Sequence, residues 1–125
     1  MRFTKYLILI TLIHFSAFGQ KKCEKEGDYY IKHFKYFEAA KAYQECFDKE
    51  PNNYSIAYKL AEAYLKYYNY EKAEKYYGLV VEFAVDKYPM SMYWHAESMK
   101  IRGDYQGAKK KFEELIKSSV FSHLS

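Results

Sequence analysis

Residues 54–85 contain two stretches in which apolar side chains recur with helical spacing. The first stripe consists of Ala57, Leu60, Ala61 and Tyr64. The second stripe, after a break at residues 67–69, consists of Tyr70, Ala73, Tyr77 and Val80. Intervals of three and four residues place each set on one face of a helix. The pattern therefore predicts two amphipathic helices that are joined by a tight turn and bury their apolar faces against each other.

The same pattern recurs along the chain at an almost constant interval. The residues that stand 34 positions upstream of Tyr64, Tyr70, Ala73, Tyr77 and Val80 are Tyr30, Tyr36, Ala39, Tyr43 and Cys46. The residues that stand 35 positions downstream of the same five are Met99, Tyr105, Ala108, Phe112 and Leu115. One residue is therefore inserted in the connection near residues 86–88. A period of about 34 residues with paired helices predicts a helical repeat architecture.

These repeated residues resemble the motif of the tetratricopeptide repeat (TPR) family over residues 20–118. The family's small residue in each first helix corresponds to Gly27, Ala61 and Ala96, and its alanine in each second helix corresponds to Ala39, Ala73 and Ala108. Among the departures, Met99 stands where the family has an aromatic residue and His95 where it has leucine. The resemblance implies an all-α fold, a right-handed superhelical TPR solenoid of about three helix-turn-helix repeats. The repeats would span residues 20–53, 54–88 and 89–118.

Residues that start and stop helices lie between the predicted elements. Pro51 cannot continue a helix, and the side-chain oxygen of Asn53 can cap the next one. Pro89 is suited to the first position of a helix, where an N–H group is not needed. Gly103 can adopt the left-handed conformation that closes a helix, and Asp104 can cap the following helix. These signals favour the helix pairs that the repeat predicts.

The first 19 residues have the layout of a secretory signal peptide. Arg2 and Lys5 give a positive start, residues 6–18 are mostly apolar, and Ala17 and Gly19 provide small residues before a cleavage site. A membrane-spanning helix needs about 20 apolar residues. The run here has 13. We therefore predict export, with no transmembrane span after signal cleavage and a short tail at residues 119–125.

Charge and composition argue against several function classes. Without Arg2 and Lys5, 18 basic residues face 16 acidic ones, an excess too small to indicate nucleic-acid binding. The four histidines do not stand at metal-ligand spacing, and the sequence has neither a glycine-rich phosphate loop nor a nucleophile motif. We therefore predict no enzymatic activity, no catalytic residues, no metal and no cofactor.

The two cysteines lie near the ends of two helices in the first predicted pair. Cys23 is near the start of its first helix and Cys46 near the end of the antiparallel second helix. Neighbouring helix ends permit a disulfide if the Cα atoms come within about 4.4 to 6.8 Å. Two buried thiols that act as small core residues would account for the same positions. The sequence leaves both alternatives open.

Sixteen tyrosines are far more than a chain of this size usually has. Those that fall outside the packing positions of the family are Tyr29, Tyr58, Tyr67, Tyr68, Tyr76 and Tyr93, and some of them must be exposed. Tyrosine is favoured at binding surfaces because it buries a large area with little loss of rotamer entropy.

The TPR resemblance also implies where a partner would bind. Ligands of the family commonly lie in a concave groove lined by the first helix of each repeat. The corresponding candidates here are Tyr58, Lys59, Glu62, Leu65, Lys66, Tyr93, Trp94, Glu97 and Lys100. The family's clamp for a peptide carboxylate terminus is missing, because Glu24 and Asp28 stand at two of its positions. We expect an extended or helical partner segment with aromatic anchors and mixed charge.

A leader followed by tyrosine-rich repeats resembles the amino-terminal TPR region of exported Gram-negative envelope proteins that carry an OmpA-type domain. This resemblance implies a non-catalytic protein–protein interaction scaffold in the periplasm or on the periplasmic face of the outer membrane. The partner would be a protein or peptide, such as a component of an outer-membrane or secretion complex. The alternative is a regulatory or substrate-presenting subunit of an envelope enzyme or secretion complex.

Overall fold

The computed structural model describes residues 22–118, which form six helices and no strand. The helices are α1 (22–32), α2 (Tyr36–Lys49), α3 (Tyr54–Lys66), α4 (Tyr70–Ala84), α5 (Met90–Ile101) and α6 (Tyr105–Lys117). The predicted leader and the tail at residues 119–125 lie outside the described residues. Within residues 22–118, no helix has the length and apolarity that a membrane span requires.

The six helices pack as three antiparallel pairs in chain order. Helix α2 packs on α3, α3 on α4, α4 on α5 and α5 on α6. Ion pairs from Lys59 to Glu24 and Asp28 join α3 to α1 across the first two pairs. The repeat architecture predicted from the sequence is thereby confirmed.

Small residues lie where the helices approach most closely. Ala39, Ala73 and Ala108 are 0%, 0% and 2% exposed, as the repeat pattern requires. Tyr43 and Tyr77, also fully buried, fill the space beside these alanines. A larger side chain at an alanine contact would overpack the core at a cost of about 1–3 kcal/mol.

Three of the helices are capped by the residue types that the sequence provides. The side chains of Asn53, Asn69 and Asp104 accept hydrogen bonds at 3.2, 3.2 and 2.9 Å from the backbone N–H groups three positions later. Each such cap stabilises its helix by about 1 kcal/mol. Pro89 precedes α5 by one residue rather than opening it, although its φ of −62° and ψ of −31° are already helical.

The same backbone motif closes the first helix of every pair. In all three pairs the second residue after the helix end has a positive φ: 59° at Phe34, 66° at Tyr68 and 92° at Gly103. The N–H group of the next residue then donates to a carbonyl five positions earlier, at 2.9 to 3.0 Å. This is the Schellman arrangement, in which glycine is favoured because a side chain costs about 1–2 kcal/mol at positive φ. In two of the three turns an aromatic residue occupies the positive-φ position despite this cost.

A disulfide joins the two helices of the first pair. Cys23 on α1 and Cys46 on α2 are bridged, with their Cα atoms 5.7 Å apart and both side chains buried. This separation lies within the range that disulfide geometry requires. Of the two alternatives left open by the sequence, the structure contains the bridge.

Candidate functional site

The first helices of the three pairs contribute to one face of the molecule. We call it the first-helix face and define it by Glu24, Asp28, Tyr58, Lys59, Glu62, Tyr93, Trp94, Glu97 and Lys100. The register of the repeats places the last four at positions equivalent to residues 58, 59, 62 and 65 of α3. Lys59 connects α3 to α1 directly, because its Nζ atom lies 2.9 Å from Glu24 Oε1 and 2.8 Å from Asp28 Oδ1.

Lys59 and Asp28 belong to a network that also includes a buried tyrosine. The hydroxyl of Tyr43 donates to Asp28 Oδ1 at 2.6 Å, and the Lys59 ammonium lies 5.8 Å from the Tyr43 ring centroid. Burial alone would raise the pKa of Asp28, but hydrogen bonds from Lys59 and Tyr43 outweigh it and lower that pKa. Burial and then Asp28 raise the pKa of the Tyr43 hydroxyl. Lys59 is therefore a fixed cation whose charge is already shared between two carboxylates.

Glu62 is the carboxylate at the centre of the first-helix face. Burial raises its pKa, and the nearby Lys66 ammonium and a hydrogen bond to Tyr58 offset this effect only in part. The Tyr58 ring stacks on Tyr88 with centroids 4.8 Å apart and meets Tyr77 edge-on at 5.9 Å. Tyr58 thus packs against the core and shields the carboxylate beside it.

Helix α5 presents two rings and a carboxylate at the equivalent positions. Tyr93 meets Trp94 edge-on, with ring centroids 4.9 Å apart, and also contacts Phe112. The hydroxyl of Tyr93 lies 3.4 Å from Glu97, and the Lys100 ammonium forms an ion pair with the same carboxylate. Trp94 itself packs against the hydrophobic core. The candidate residues of α5 therefore form one connected group.

One carboxylate recurs in each pair at an equivalent position of the first helix. These residues are Asp28, Glu62 and Glu97, separated by 34 and 35 residues, the same intervals as the repeat. The sequence contains this spacing, but the alignment of the three carboxylates was not predicted from it. The alignment gives the first-helix face one carboxylate on each of α1, α3 and α5, and we call these three residues the acidic line.

The remaining two candidates face other surroundings. Leu65 is half-buried and packs against the core cluster. The Lys66 ammonium lies 5.4 Å from the ring centroid of Tyr36, at the turn that joins α1 to α2. The structure thus brings Tyr58, Lys59 and Glu62 together, while the Lys66 ammonium acts on the Glu62 carboxylate and also lies over the Tyr36 ring at the turn.

The turns at one edge of the molecule form a second surface, which the sequence did not predict. A cleft of about 380 Å³ between the first and second turns is lined by Phe34, Lys35, Tyr36, Phe37, Glu38, Lys66, Tyr67 and Tyr68, and we call it the turn cleft. A neighbouring hollow of about 490 Å³ between the second and third turns is lined by Tyr67, Tyr68, Asn69, Tyr70, Glu71 and Arg102. Both hollows share residues of the middle turn, so the three turns lie along one edge, which we call the turn edge.

The tyrosines outside the family's packing positions have different environments. Tyr29, Tyr67 and Tyr68 are exposed, as expected for some of the group. Tyr76 is 5% exposed, because its ring stacks on Tyr64 and its hydroxyl donates to Gln44 at 2.9 Å. Position in the family motif therefore did not identify every buried tyrosine.

His95 is a half-buried packing residue on α5. Burial lowers its pKa, and its Nδ1 atom has no hydrogen-bond partner among the described residues. Its Nε2 atom lies 3.3 Å from the place where a Cβ at Gly78 would stand, so the lack of a side chain on α4 makes room for the ring. Within residues 22–118, no group of three His, Cys, Asp or Glu side chains is arranged to hold a metal ion.

Comparisons with known proteins agree with this architecture. Residues 30–89 match the family model described as "Tetratricopeptide repeat". Among solved structures, the chain is similar to the second TPR domain of the human RPAP3 protein, determined by NMR in complex with the HSP70 peptide SGPTIEEVD. The two are 25% identical, the match covers 82% of each chain, and the TM-score is 0.67. Among curated proteins, no relative matches.

TPR domains mediate protein–protein interaction, and the fold is typically a non-catalytic module. The prediction of a TPR solenoid is confirmed by the six helices and by both matches. Neither of these two matches concerns an OmpA-type envelope protein. Residues 22–118 of this chain therefore have the helical repeat fold of a TPR domain.

Proposed function

We propose that this protein is a non-catalytic scaffold of the cell envelope that binds a segment of a partner protein along the first-helix face. The observation that carries the proposal is the line of equivalent carboxylates, Asp28, Glu62 and Glu97, set among half-buried rings. Aromatic residues and fixed charges in a partly buried setting are the features that dominate protein–protein recognition.

The chemistry of this face suggests the charge of the partner segment. The RPAP3 domain is bound to a peptide that contains two glutamates and an aspartate, SGPTIEEVD. Such a peptide would place negative charges opposite the carboxylate line here, and like charges that face each other across an interface are unfavourable. We therefore expect a segment of mixed charge whose lysine or arginine residues face Glu62 and Glu97, with apolar side chains against Tyr58 and Trp94.

Two features support the envelope as the compartment. The signal-peptide pattern of residues 1–19 favours export. The disulfide between Cys23 and Cys46 is of a kind that persists in oxidising compartments. A protein of an outer-membrane or secretion complex is accordingly the partner that we propose.

Affinity capture with charge-reversed variants tests the proposal. The full chain serves as bait in an envelope extract of its own cells, beside the variant Glu97→Lys. We expect the wild-type chain to recover one stoichiometric partner and Glu97→Lys to recover at least tenfold less of it, because the variant reverses a charge at the first-helix face. An effect on the partner's turnover when the chain is removed would favour the regulatory-subunit alternative.

The matched control is Glu113→Lys, which makes the same change at an exposed site on α6. Both variants must show the wild-type thermal unfolding transition before they are compared. Equal recovery of the partner by all three chains would show that the partner does not bind at the first-helix face. Recovery that falls equally with Glu97→Lys and Glu113→Lys would indicate a dependence on net charge alone, which also contradicts the proposal.

A further inference from the structure

The turn edge carries two aromatic side chains that folding alone does not favour. Phe34 and Tyr68 occupy the positive-φ position of their turns, and each side chain is 77% exposed. At the same position of the third turn stands Gly103, the residue type that this backbone favours. The two aromatic residues therefore occupy positions where glycine would be more favourable, and their rings bury little surface that could compensate for the cost. Local conflict of this kind is typical of functional sites.

The two rings belong to a repeated arrangement. Phe34 meets Tyr36 edge-on with centroids 6.3 Å apart, and Tyr68 meets Tyr70 edge-on at the same distance. Between the two turns, the ring centroids of Phe37 and Tyr67 lie 5.2 Å apart. Rings from both turns thus line the turn cleft. A cleft with aromatic walls is the form of site that receives an extended, proline-containing or apolar segment.

The charges around the turn cleft are mainly positive. Lys35 and Lys66 line the cleft, and Lys41 lies beside it with its ammonium 5.8 Å from the Phe37 ring centroid. Only one carboxylate, that of Glu38, is among the residues lining the cleft. Lys66 lies over the Tyr36 ring at 5.4 Å, which holds its ammonium at the wall of the cleft. The cleft therefore combines apolar walls with an excess of cations.

We infer that the turn cleft is a second docking surface, which binds an extended acidic segment of a partner protein. Carboxylates of the segment would pair with Lys35 and Lys66, and its proline or apolar side chains would lie between the rings of Phe34, Phe37 and Tyr68. This surface differs from the first-helix face in position and in the sign of its charge. The two surfaces together would let one small module hold two segments at once.

A protein segment fits these observations better than an anionic lipid surface does. The exposed rings of Phe34 and Tyr68 stand on turns, whereas membrane-interface binding typically uses the continuous apolar face of an amphipathic helix. Glu38 and Glu71 also lie on the turn edge, where a negatively charged bilayer would repel them. A flexible peptide can avoid both carboxylates.

Fluorescence anisotropy with two matched peptides tests the inference. The probes are nine-residue labelled peptides of repeated Glu-Pro-Leu and of repeated Lys-Pro-Leu, titrated with the full chain. We expect the acidic peptide to bind at least tenfold more tightly than the basic one. The double variant Phe34→Gly/Tyr68→Gly should lose at least tenfold in affinity for the acidic peptide. Glycine suits positive φ, so this variant retains the turns that the experiment needs.

Three further variants show whether the acidic peptide binds in the turn cleft itself. Tyr105→Ala removes a similarly exposed ring that lines neither hollow, and Glu113→Lys reverses an exposed charge on α6 that belongs to neither surface; both should bind the acidic peptide as the wild type does. Lys35→Glu/Lys66→Glu should abolish the preference for the acidic peptide.

Three outcomes would overturn the inference. The first is equal affinity for the two peptides, or none for either. The second is an unchanged affinity of the glycine double variant. The third is binding to vesicles of phosphatidylglycerol and phosphatidylcholine that the double variant abolishes, which would assign the edge to a membrane.

Discussion

The first-helix face and the turn edge both contain features that oppose folding, but the features differ in kind. On the first-helix face the unfavourable element is electrostatic: Glu62 keeps a carboxylate among packed rings, where burial raises its pKa. At the turn edge the unfavourable element is conformational, because Phe34 and Tyr68 have a positive φ while their rings point into water. Each surface therefore contains residues that are individually unfavourable for folding.

The two surfaces also differ in how closely they are coupled to the core. Tyr58 and Trp94 on the first-helix face pack against the hydrophobic cluster. Phe34 and Tyr68 at the turn edge are almost free of it, since most of each ring is exposed. Removal of a packed ring from the first-helix face should therefore change stability together with recognition, whereas a substitution at the turn edge can change recognition alone. The following predictions measure this difference.

Removal of a tyrosine from each surface should give the largest contrast. We expect Tyr58→Ala to lower the free energy of unfolding by about 2 kcal/mol, because the half-buried ring loses its stacking on Tyr88 and its contact with the core. Tyr68→Ala should stay within about 0.5 kcal/mol of the wild type, since its ring is mostly in water and the backbone strain is unchanged.

Urea unfolding followed by circular dichroism provides both values. The slope of the transition must be the same for the two variants, so that the difference reports the native contacts. A loss at Tyr68→Ala as large as that at Tyr58→Ala would show that the exposed ring supports the fold, and the contrast between the surfaces would disappear.

The cost of a side chain at the positive-φ position can be measured by adding one to a glycine and by removing one from a tyrosine. Gly103→Ala should lower stability by about 1 kcal/mol, because alanine is disfavoured at a φ of 92° and no atom lies within 4 Å of the added Cβ. Tyr68→Gly should instead raise stability by about 0.5 kcal/mol, since relief of strain is partly offset by the greater freedom of glycine in the unfolded chain.

Thermal unfolding of the two variants beside the wild type decides the sign of each change. The comparison of surfaces predicts opposite signs at equivalent turn positions. If Tyr68→Gly destabilises the protein, the tyrosine is a structural part of its turn, and no binding role is needed to account for it.

The sequence predicted most of the fold because the repeat is carried by buried residues. Ala39, Ala73 and Ala108 recur with the period of the helix pairs, and all three are buried. The caps at Asn53 and Asp104 were predicted for the same reason: the local chemistry of each residue determines its role. The central pair, in which every core position carries a small or apolar residue, has the strongest pattern.

The turn edge could not be predicted in the same way. The absence of glycine at Phe34 and Tyr68 suggests weaker turns, whereas the structure has the Schellman hydrogen bonds in all three pairs. Tertiary packing of the helices overrides the local preference of these residues. The buried position of Tyr76 was also missed, because its hydroxyl bonds to Gln44, which is 32 residues away and carries no sequence signal of the contact.

The charge of Glu62 provides the smallest and most specific test of the comparison. Its raised pKa means that the folded protein holds the carboxyl proton more tightly than the unfolded chain does. The contribution of this group to stability therefore falls as the pH rises from about 4.5 through the pKa of the folded state. Glu62→Gln has a similar shape without the charge, so the variant should be slightly more stable than the wild type at pH 7, and the difference should be smaller at pH 4.5 and continue to shrink below it.

Glu113→Gln, an exposed change on α6, is the control for loss of one negative charge. Unfolding midpoints at pH 7 and pH 4.5 for the three chains isolate the effect of burial, because the Glu113 carboxylate is in water whereas that of Glu62 lies among packed rings. A stability difference at Glu62→Gln that is equal at both pH values would mean that shape rather than charge produces it. The first-helix face would then carry no electrostatic cost, and its acidic line would be an ordinary part of a wet helix surface rather than a feature retained against stability.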